Sequence, residues 1–384
     1  MNIAIIRRRF NPFGGAEKFI LRTIQGLSSE KIKITVISEK WISSPEKAKR
    51  EHEFIGIGSH GISRTARFLN FQKSVRNILT VHNFDLIQSH ERLVGADIYR
   101  LGDGIHAAWI QRQYVISPWY RKLWLRLDPY HRAVIATEKE MALDPNLTYV
   151  ANSSLVKQEL ISWYQVPETR ITLIENGIDT SAFTPSSSEE KKQAKRNLSL
   201  DPQKPTVLFV GSGFDRKGAF ELTRAVRSMP NWQLIIVGAD KKINSLKRIV
   251  HDSKLEDRIL ITGPQHDIHH FLNAADVFCL PSLYDSFPNA ILEALCSGLP
   301  VVTTEAVGVA EAIKSNKAGA ICERNPMAIQ MALENVWKHK GEMSLNAVSL
   351  SKKYDIKHAN QLWLDLYNKL INKKKDRNIE NTSH

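Results

Sequence analysis

The chain lacks any long apolar run. Hydrophobic residues make up 42% of its 384 positions and mean hydropathy is −0.28, with no stretch near the ~20 apolar residues that span a bilayer. That pattern excludes a helical channel or transporter. The opening Met1-Asn2-Ile3-Ala4-Ile5-Ile6 is too short and wrongly flanked for a signal peptide, and reads as a buried strand. Cysteine is scarce. Cys279, Cys296 and Cys322 have no metal-ligand spacing and sit in apolar surroundings, as expected of reduced core thiols in a cytoplasmic protein. No Asp-x-Asp pair stands out, and His266, His269 and His270 have no acidic partner pattern, so no metal site is expected. Acidic residues are in deficit, 40 against 53 basic ones, for a net charge of +13. Such an excess implies an anionic partner: nucleic acid, a phosphorylated substrate or a membrane surface. No helix-turn-helix, zinc-finger or ribonucleoprotein motif supports the first of these.

What is present is a repeated strand–helix alternation. Strand-like runs occur at Asn2–Ile6, Lys33–Ser38, Asp85–Ser89 and Thr148–Ala151, then at 206–210, 233–237, 258–262, 277–280 and 300–303. Helical periodicity lies between them, for example at Ala16–Leu27 and Ser154–Tyr164. This predicts an α/β fold with two Rossmann-like domains facing across a cleft, over 1–175 and 176–356. The turn signal Glu175-Asn176-Gly177-Ile178-Asp179 marks the boundary. The helical stretch Lys357–Ile371 places Leu362, Trp363, Leu366, Tyr367 and Leu370 on one face. The tail 373–384 has no apolar face and is expected to be disordered.

The most informative stretch begins with the strand Val277–Leu280, which ends in Pro281-Ser282. A polar turn with Asp285 follows. Phe287-Pro288-Asn289 then opens a helix carrying Glu293, and Pro300-Val301-Val302 starts the next strand. Ligands of open α/β sheets lie beyond the carboxyl ends of strands, and free amides at a helix start suit phosphate. Asp285 and Glu293, with seven residues between them, bracket such a turn. The run resembles the signature of the retaining, nucleotide-sugar-dependent glycosyltransferases of family 4, which have the GT-B fold. The usual first acid there is Glu, so Asp285 departs from the pattern by one methylene.

The resemblance implies roles for further residues. Gly211-Ser212-Gly213-Phe214-Asp215-Arg216-Lys217-Gly218 follows the strand at 206–210. Fixed cations there would stabilise a departing diphosphate more in the transition state than in the ground state. The family places an Arg and a Lys in this loop, which gives Arg216 and Lys217 that role. Phe13-Gly14-Gly15-Ala16 resembles the first-domain loop over the donor diphosphate, with Gly14 and Gly15 allowing close backbone approach. Glu293 would bind the donor ribose, Asp285 the hydroxyls of the transferred sugar, and Phe287 and Asn289 the donor side of the turn. Gly263–Phe271 would run beside the base. Leu101-Gly102-Asp103-Gly104-Ile105-His106 offers an acid and a histidine in a glycine-flanked loop. The lipopolysaccharide-core glucosyltransferases carry a Tyr-x-x-x-Asp here, matched by Tyr99 through Asp103. Asp103 would orient or deprotonate the acceptor, with His106 the alternative. The implied donor is a nucleotide-diphosphate sugar, UDP-hexose in form, used without metal or other cofactor.

A second region, 109–132, interleaves Trp109, Tyr114, Trp119, Tyr120, Trp124 and Tyr130 with Arg112, Arg121, Lys122, Arg126 and Arg132. Tyr and Trp favour the water–lipid boundary, and Lys and Arg attract anionic headgroups. The segment reads either as a peripheral anchor on the anionic inner membrane surface or as a helical lid whose aromatics fill the first domain. A corresponding insertion in the lipopolysaccharide-core enzymes favours the anchor and a lipid-linked glycan acceptor. The expected function is retaining hexosyl transfer. A sugar-nucleotide epimerase of the same fold and a non-catalytic carbohydrate- or lipid-binding subunit are the alternatives.

Overall fold

The structure, a computed structural model, describes residues 1–10, 32–41, 53–58 and 60–382. The chain divides into two compact units, Met1–Gly177 with Lys357–His384, and Ile178–Ile356.

The first unit is built on β1 (Asn2–Ile6), β2 (Arg9–Phe10), β3 (Lys33–Ser38), β4 (Lys40–Trp41), β5 (Glu53–Gly56), β6 (Leu86–Ser89), β7 (Ile98–Arg100), β8 (Thr148–Ala151) and β9 (Ile171–Leu173). Seven of these form one parallel sheet in the order β5-β3-β1-β6-β7-β8-β9, and β2 pairs with β4. The chain winds outward from β1 through β3 and β5, then returns to β6 and proceeds the other way. Side chains alternate across a strand, so β1 feeds two cores. Ile3 and Ile5 pack with Ile34, Val36 and Leu86 under Trp363, Leu366 and Tyr367 of the helix Ile356–Thr382. Ala4 and Ile6 pack on the other face with Phe71 and Val75 of the helix Arg64–Val81. Burial on both faces is why the strand reads as a continuous apolar run. The final helix runs through the tail expected to be disordered and ends at Thr382. The Lys and Arg of that tail are good helix formers, so an established helix can continue without an apolar face.

The second unit contains β10 (Thr206–Val210), β11 (Gln233–Val237), β12 (Ile259–Gly263), β13 (Val277–Leu280), β14 (Val301–Thr303) and β15 (Gly319–Ile321). They form a parallel sheet in the order β12-β11-β10-β13-β14-β15. Val207, Leu208 and Phe209 of β10 and the whole of β13 are buried in one large core. In each unit the winding reverses once, between β1 and β6 and between β10 and β13. Loops leaving two neighbouring strands in opposite directions open a crevice at such a point, where α/β sheets bind ligands.

Candidate active site

Beyond β10 the chain passes through Gly211 into a single helical turn, Phe214–Lys217. The Phe214 amide donates to Asp240 Oδ2 at 2.9 Å, which holds the turn against the loop after β11. Two glycines are required by space. A Cβ at Gly211 would lie 2.6 Å from Lys217 Cδ, so a larger residue would push the lysine stem away. Gly218, at φ +82°, would place a Cβ 2.3 Å from the Pro281 carbonyl oxygen. The loop after β10 therefore lies directly on the loop after β13, and the Leu283 amide donates to the Arg216 carbonyl at 2.7 Å.

This contact brings three of the sequence-predicted residues together. Asp285 Oδ2 lies 3.1 Å from Lys217 Nζ and 3.3 Å from Arg216 Nη1. Arg216 Nη1 also donates to the Tyr284 carbonyl at 2.8 Å. The Asp285 amide donates to the Ala306 carbonyl at 3.1 Å and its own carbonyl accepts the Gly308 amide at 2.9 Å. Its backbone is thus fixed while its carboxylate faces the cations. Burial is the largest single influence on that carboxyl and raises its pKa. Lys217 and Arg216 together outweigh it and hold the group below the ordinary aspartate value. Asp285 is ionised at neutral pH.

The helix Asn289–Cys296 starts beside this cluster with no side-chain cap from Pro288, and its Ile291 amide donates to the Pro288 carbonyl at 3.1 Å. Asn289 is half-buried at its start, and Glu293 is buried one turn further on. The Phe287 side chain is buried. It lies in the unit's core, edge-on to Tyr354 at 5.5 Å, and anchors the turn from below. Gly14 and Gly15 lie outside the described residues. Among the described residues no group of three His, Cys, Asp or Glu side chains could hold a metal.

The first unit has its own polar cluster at the β1–β6 reversal. Arg7 follows β1 and Glu91 follows β6 by two residues, with Arg7 Nη1 3.2 Å from Glu91 Oε1 and 3.4 Å from Asp103 Oδ2. The Asp103 side chain is 59% exposed, so one edge of it is open to a ligand. Buried Arg100 donates to Asn176 Oδ1 at 2.5 Å. Burial and neighbouring cations push the His90 imidazole well below its ordinary value. Its Nε2 lies 2.8 Å from Gln88 Nε2, while Tyr367 of the last helix donates to Gln88 Oε1 at 2.6 Å.

His106 begins the helix His106–Ile116, whose first amides donate to Glu138: His106 N to Oε1 at 2.8 Å and Ala107 N to Oε2 at 3.3 Å. Its ring lies 3.0 Å from His131 Nδ1. Burial first, then Arg92, His131 and Arg64, push it down to about 3. His106 is neutral at neutral pH and serves the helix start. Sequence reading passed over Arg7, Glu91 and Glu138. The signal available for the first two was their position immediately beyond β1 and β6.

Region 109–132 forms the end of that helix, a second helix Trp119–Leu127 and the start of a third, Pro129–Leu143. Trp119 (77%), Tyr120, Leu123, Trp124 and Leu127 are exposed, while Leu125 alone of the second helix is buried. Most of these aromatics do not fill the core. Arg112 does not face outward as expected, since it pairs with Glu159 at 2.7 Å. Tyr130 also turns inward, edge-on to Phe68 and under Arg64. Among the described residues no helix is long and apolar enough to cross a membrane.

Residues 190–353 match the family model described as Glycosyl transferases group 1, and residues 13–182 match Glycosyltransferase Family 4. Together the matches follow the two units, and the chain belongs to the glycosyltransferases of GT-B fold. It is similar to the lipopolysaccharide glucosyltransferase WaaG of Escherichia coli, with 23% identity over 333 residues, 84% of this chain and 85% of that one. The crystal structure of WaaG matches with a TM-score of 0.82 at 19% identity, covering 95% of this chain and 99% of the other. Anabaena Alr3699/HepE, solved in complex with UDP-glucose, matches with a TM-score of 0.72 at 18% identity over 96% and 100% of the two chains. Over 176 residues the chain is 31% identical to the Escherichia coli UDP-Gal:alpha-D-GlcNAc-diphosphoundecaprenol alpha-1,3-galactosyltransferase, spanning 45% of that relative. The chain is a glycosyltransferase by these likenesses.

Proposed function

We propose that the enzyme transfers a hexose from a UDP-sugar to a membrane-associated glycan of the lipopolysaccharide-core kind, with retention at the anomeric carbon and without metal or other cofactor. The observation that carries this reading is the convergence of Arg216, Lys217 and Asp285 beside an uncapped helix start. In the free enzyme Asp285 occupies the two cations. The arriving diphosphate takes over Lys217 and Arg216, and Asp285 is released to accept from hydroxyls of the sugar. Glu293 binds the ribose. As the anomeric carbon–oxygen bond breaks, charge gathers on the phosphate, and two fixed cations stabilise it there. The acceptor oxygen bonds to the same face of that carbon, and its proton passes to the departing phosphate oxygen. Asp103, held by Arg7, orients the acceptor hydroxyl.

The exposed face of Trp119–Leu127, with Arg121, Lys122 and Arg126, supports docking on anionic lipid at the cytoplasmic face of the inner membrane. Each basic group near such a surface contributes about 1 kcal/mol. Replacing these three with Ser is expected to release the protein from anionic vesicles and leave its fold unchanged by circular dichroism. Equal binding of wild type and variant would end the docking reading. The reaction itself is tested by incubating labelled UDP-hexoses with extracted glycolipid. Label should enter the lipid, with UDP released only when acceptor is present. A new epimer formed without acceptor would indicate an epimerase, and no turnover with any combination a binding subunit.

A further inference from the structure

The second unit has another pocket, at the amino-terminal end of its sheet and so at the opposite end from Asp285. It encloses about 410 Å³, within the range that takes a small ligand. Its floor is Asp276, the residue before β13. Lys195 Nζ donates to Asp276 Oδ2 at 2.7 Å and to the Lys204 carbonyl at 2.7 Å. Lys340 Nζ donates to Asp276 Oδ1 at 2.9 Å and lies 4.3 Å from the centre of the Trp337 ring. The Thr206 amide also donates to Oδ2, at 3.0 Å.

Lys195 and Lys340 are thereby explained as a brace on a buried acid. Lys191 and Lys192, which line the same pocket, are not. Lys191 stands one helical turn before Lys195 on the helix Ser188–Asn197, on the same face, and donates only to the Ala275 carbonyl, at 2.9 Å. Lys192 has Glu189 at 3.8 Å on the outer side of the helix. The lining thus sets four ammonium groups against one carboxylate. Burial is the main cause of a Lys191 pKa lowered to about 8; Asp276 opposes the shift, and Lys340 and Lys195 add to it. Like charges kept this close in a concave site are stabilised by an anion.

We propose that this pocket binds a phosphorylated monosaccharide, separately from the donor site. The phosphate sits against Lys191, Lys192 and Lys340. A bare phosphate would leave most of the volume empty, and the remaining wall offers what a sugar ring needs. Ser186, Ser344 and Gln203 supply hydrogen bonds for hydroxyls, and Trp337 and Leu345 supply apolar faces. Ser297 and Gly298, at the end of the helix whose other end carries Asn289, also line the pocket, so its occupant touches the same rigid element as the donor turn.

The test is calorimetric titration of the full chain with glucose 6-phosphate, inorganic phosphate and glucose. The wild type is expected to bind glucose 6-phosphate at least about ten-fold tighter than either of the others, from the added charge-assisted and hydroxyl hydrogen bonds. The double variant Lys191→Gln, Lys192→Gln touches neither oxygen of Asp276, so it should fold. It is expected to lose about ten-fold or more in affinity for the phosphosugar. A thermal melt without ligand confirms that it is folded. The variant Arg216→Ala, Lys217→Ala is expected to bind glucose 6-phosphate as the wild type does. Unchanged binding by the Lys191, Lys192 variant overturns the proposal, as does no preference over glucose. Loss of binding in the Arg216, Lys217 variant would move the ligand to the donor site, and equal affinity for inorganic phosphate would remove the sugar from the assignment. None of these outcomes depends on which donor or acceptor the enzyme uses.

Discussion

Each end of the second unit's sheet holds an aspartate between two cations, and the two ends put that arrangement to different use. At the amino end Asp276 and Lys195 are each only 5% exposed, and every bond they make joins one element to another. The cluster ties the helices Ser188–Asn197 and Lys340–Ser351 to the start of β13. At the carboxyl end the cations stand on a single helical turn; Asp285 and Lys217 are 12% and 13% exposed, and Arg216 at 36% is about as open as Lys340 at 32%. Both carboxyls are held below the ordinary aspartate value by their cations against the opposing effect of burial. Charge pattern alone therefore does not tell a brace from a binding site. The inner pair does: Asp276 and Lys195 are sealed, while Asp285 and Lys217 keep an edge that a competing anion can reach, which makes Asp285 a replaceable partner.

The sharpest way to break this comparison is to remove the two carboxylates. Asp276→Asn leaves Lys195 buried without its counter-charge and is expected to cost about 3–5 kcal/mol of stability, read from urea unfolding. Asp285→Asn should cost less, because Asp285 and Lys217 are less completely buried than Asp276 and Lys195. Equal losses would mean that both clusters are braces. Next in size is catalysis. Arg216→Ala and Lys217→Ala are each expected to lower turnover by roughly 100-fold, as removal of one electrostatic stabiliser does. Without added phosphosugar, Lys340→Gln at the other end should leave turnover within about two-fold, because its ammonium pairs with Asp276 and not with Asp285. Comparable losses at both ends would erase the distinction.

The smallest effects are those of pH. Folded values for Asp276 and Asp285 lie below the unfolded value of 3.8. Their contribution is complete above that value and is lost as pH falls through the folded pKa. Asp276→Asn should accordingly flatten the fall in melting temperature below about pH 4. Lys191 acts in the opposite pH range. Its folded value of about 8 lies under the unfolded 10.5, so between them the unfolded chain holds more protons. Stability from this group rises with pH across that window, and Lys191→Met should remove the rise relative to wild type.

Much of the second unit was legible because its strands announce themselves. Thr206–Val210, Gln233–Val237 and Val277–Leu280 are apolar runs bounded by Gly and Pro, and the structure places strands on the same residues. β7 and β15 were not, being three residues long, and β15 begins with a glycine. Arg216, Lys217 and Asp285 could be singled out one by one. Their mutual pairing could not, because it depends on how closely Gly218 allows the loops after β10 and β13 to approach, and they lie some seventy residues apart in sequence. The burial of the Phe287 ring was not legible either, because an aromatic next to a ligand turn looks the same in sequence whether it faces the ligand or the core. In the first unit nothing singled out Arg7, since its partner Glu91 follows a strand eighty residues later.

The return of the chain to its first unit has a consequence for biosynthesis. Trp363, Leu366 and Tyr367 complete the core that Ile3 and Ile5 begin, yet they leave the ribosome after the entire second unit has been made. Domains ordinarily fold in the order of synthesis. Here the nascent first sheet waits with one apolar face uncovered, while residues 178–356, whose core among the described residues is drawn from within that range, can close before it. The earliest-made strands are the last to be finished. During translation a chaperone that shields β1 and β3 therefore has more to protect than one acting on any later segment.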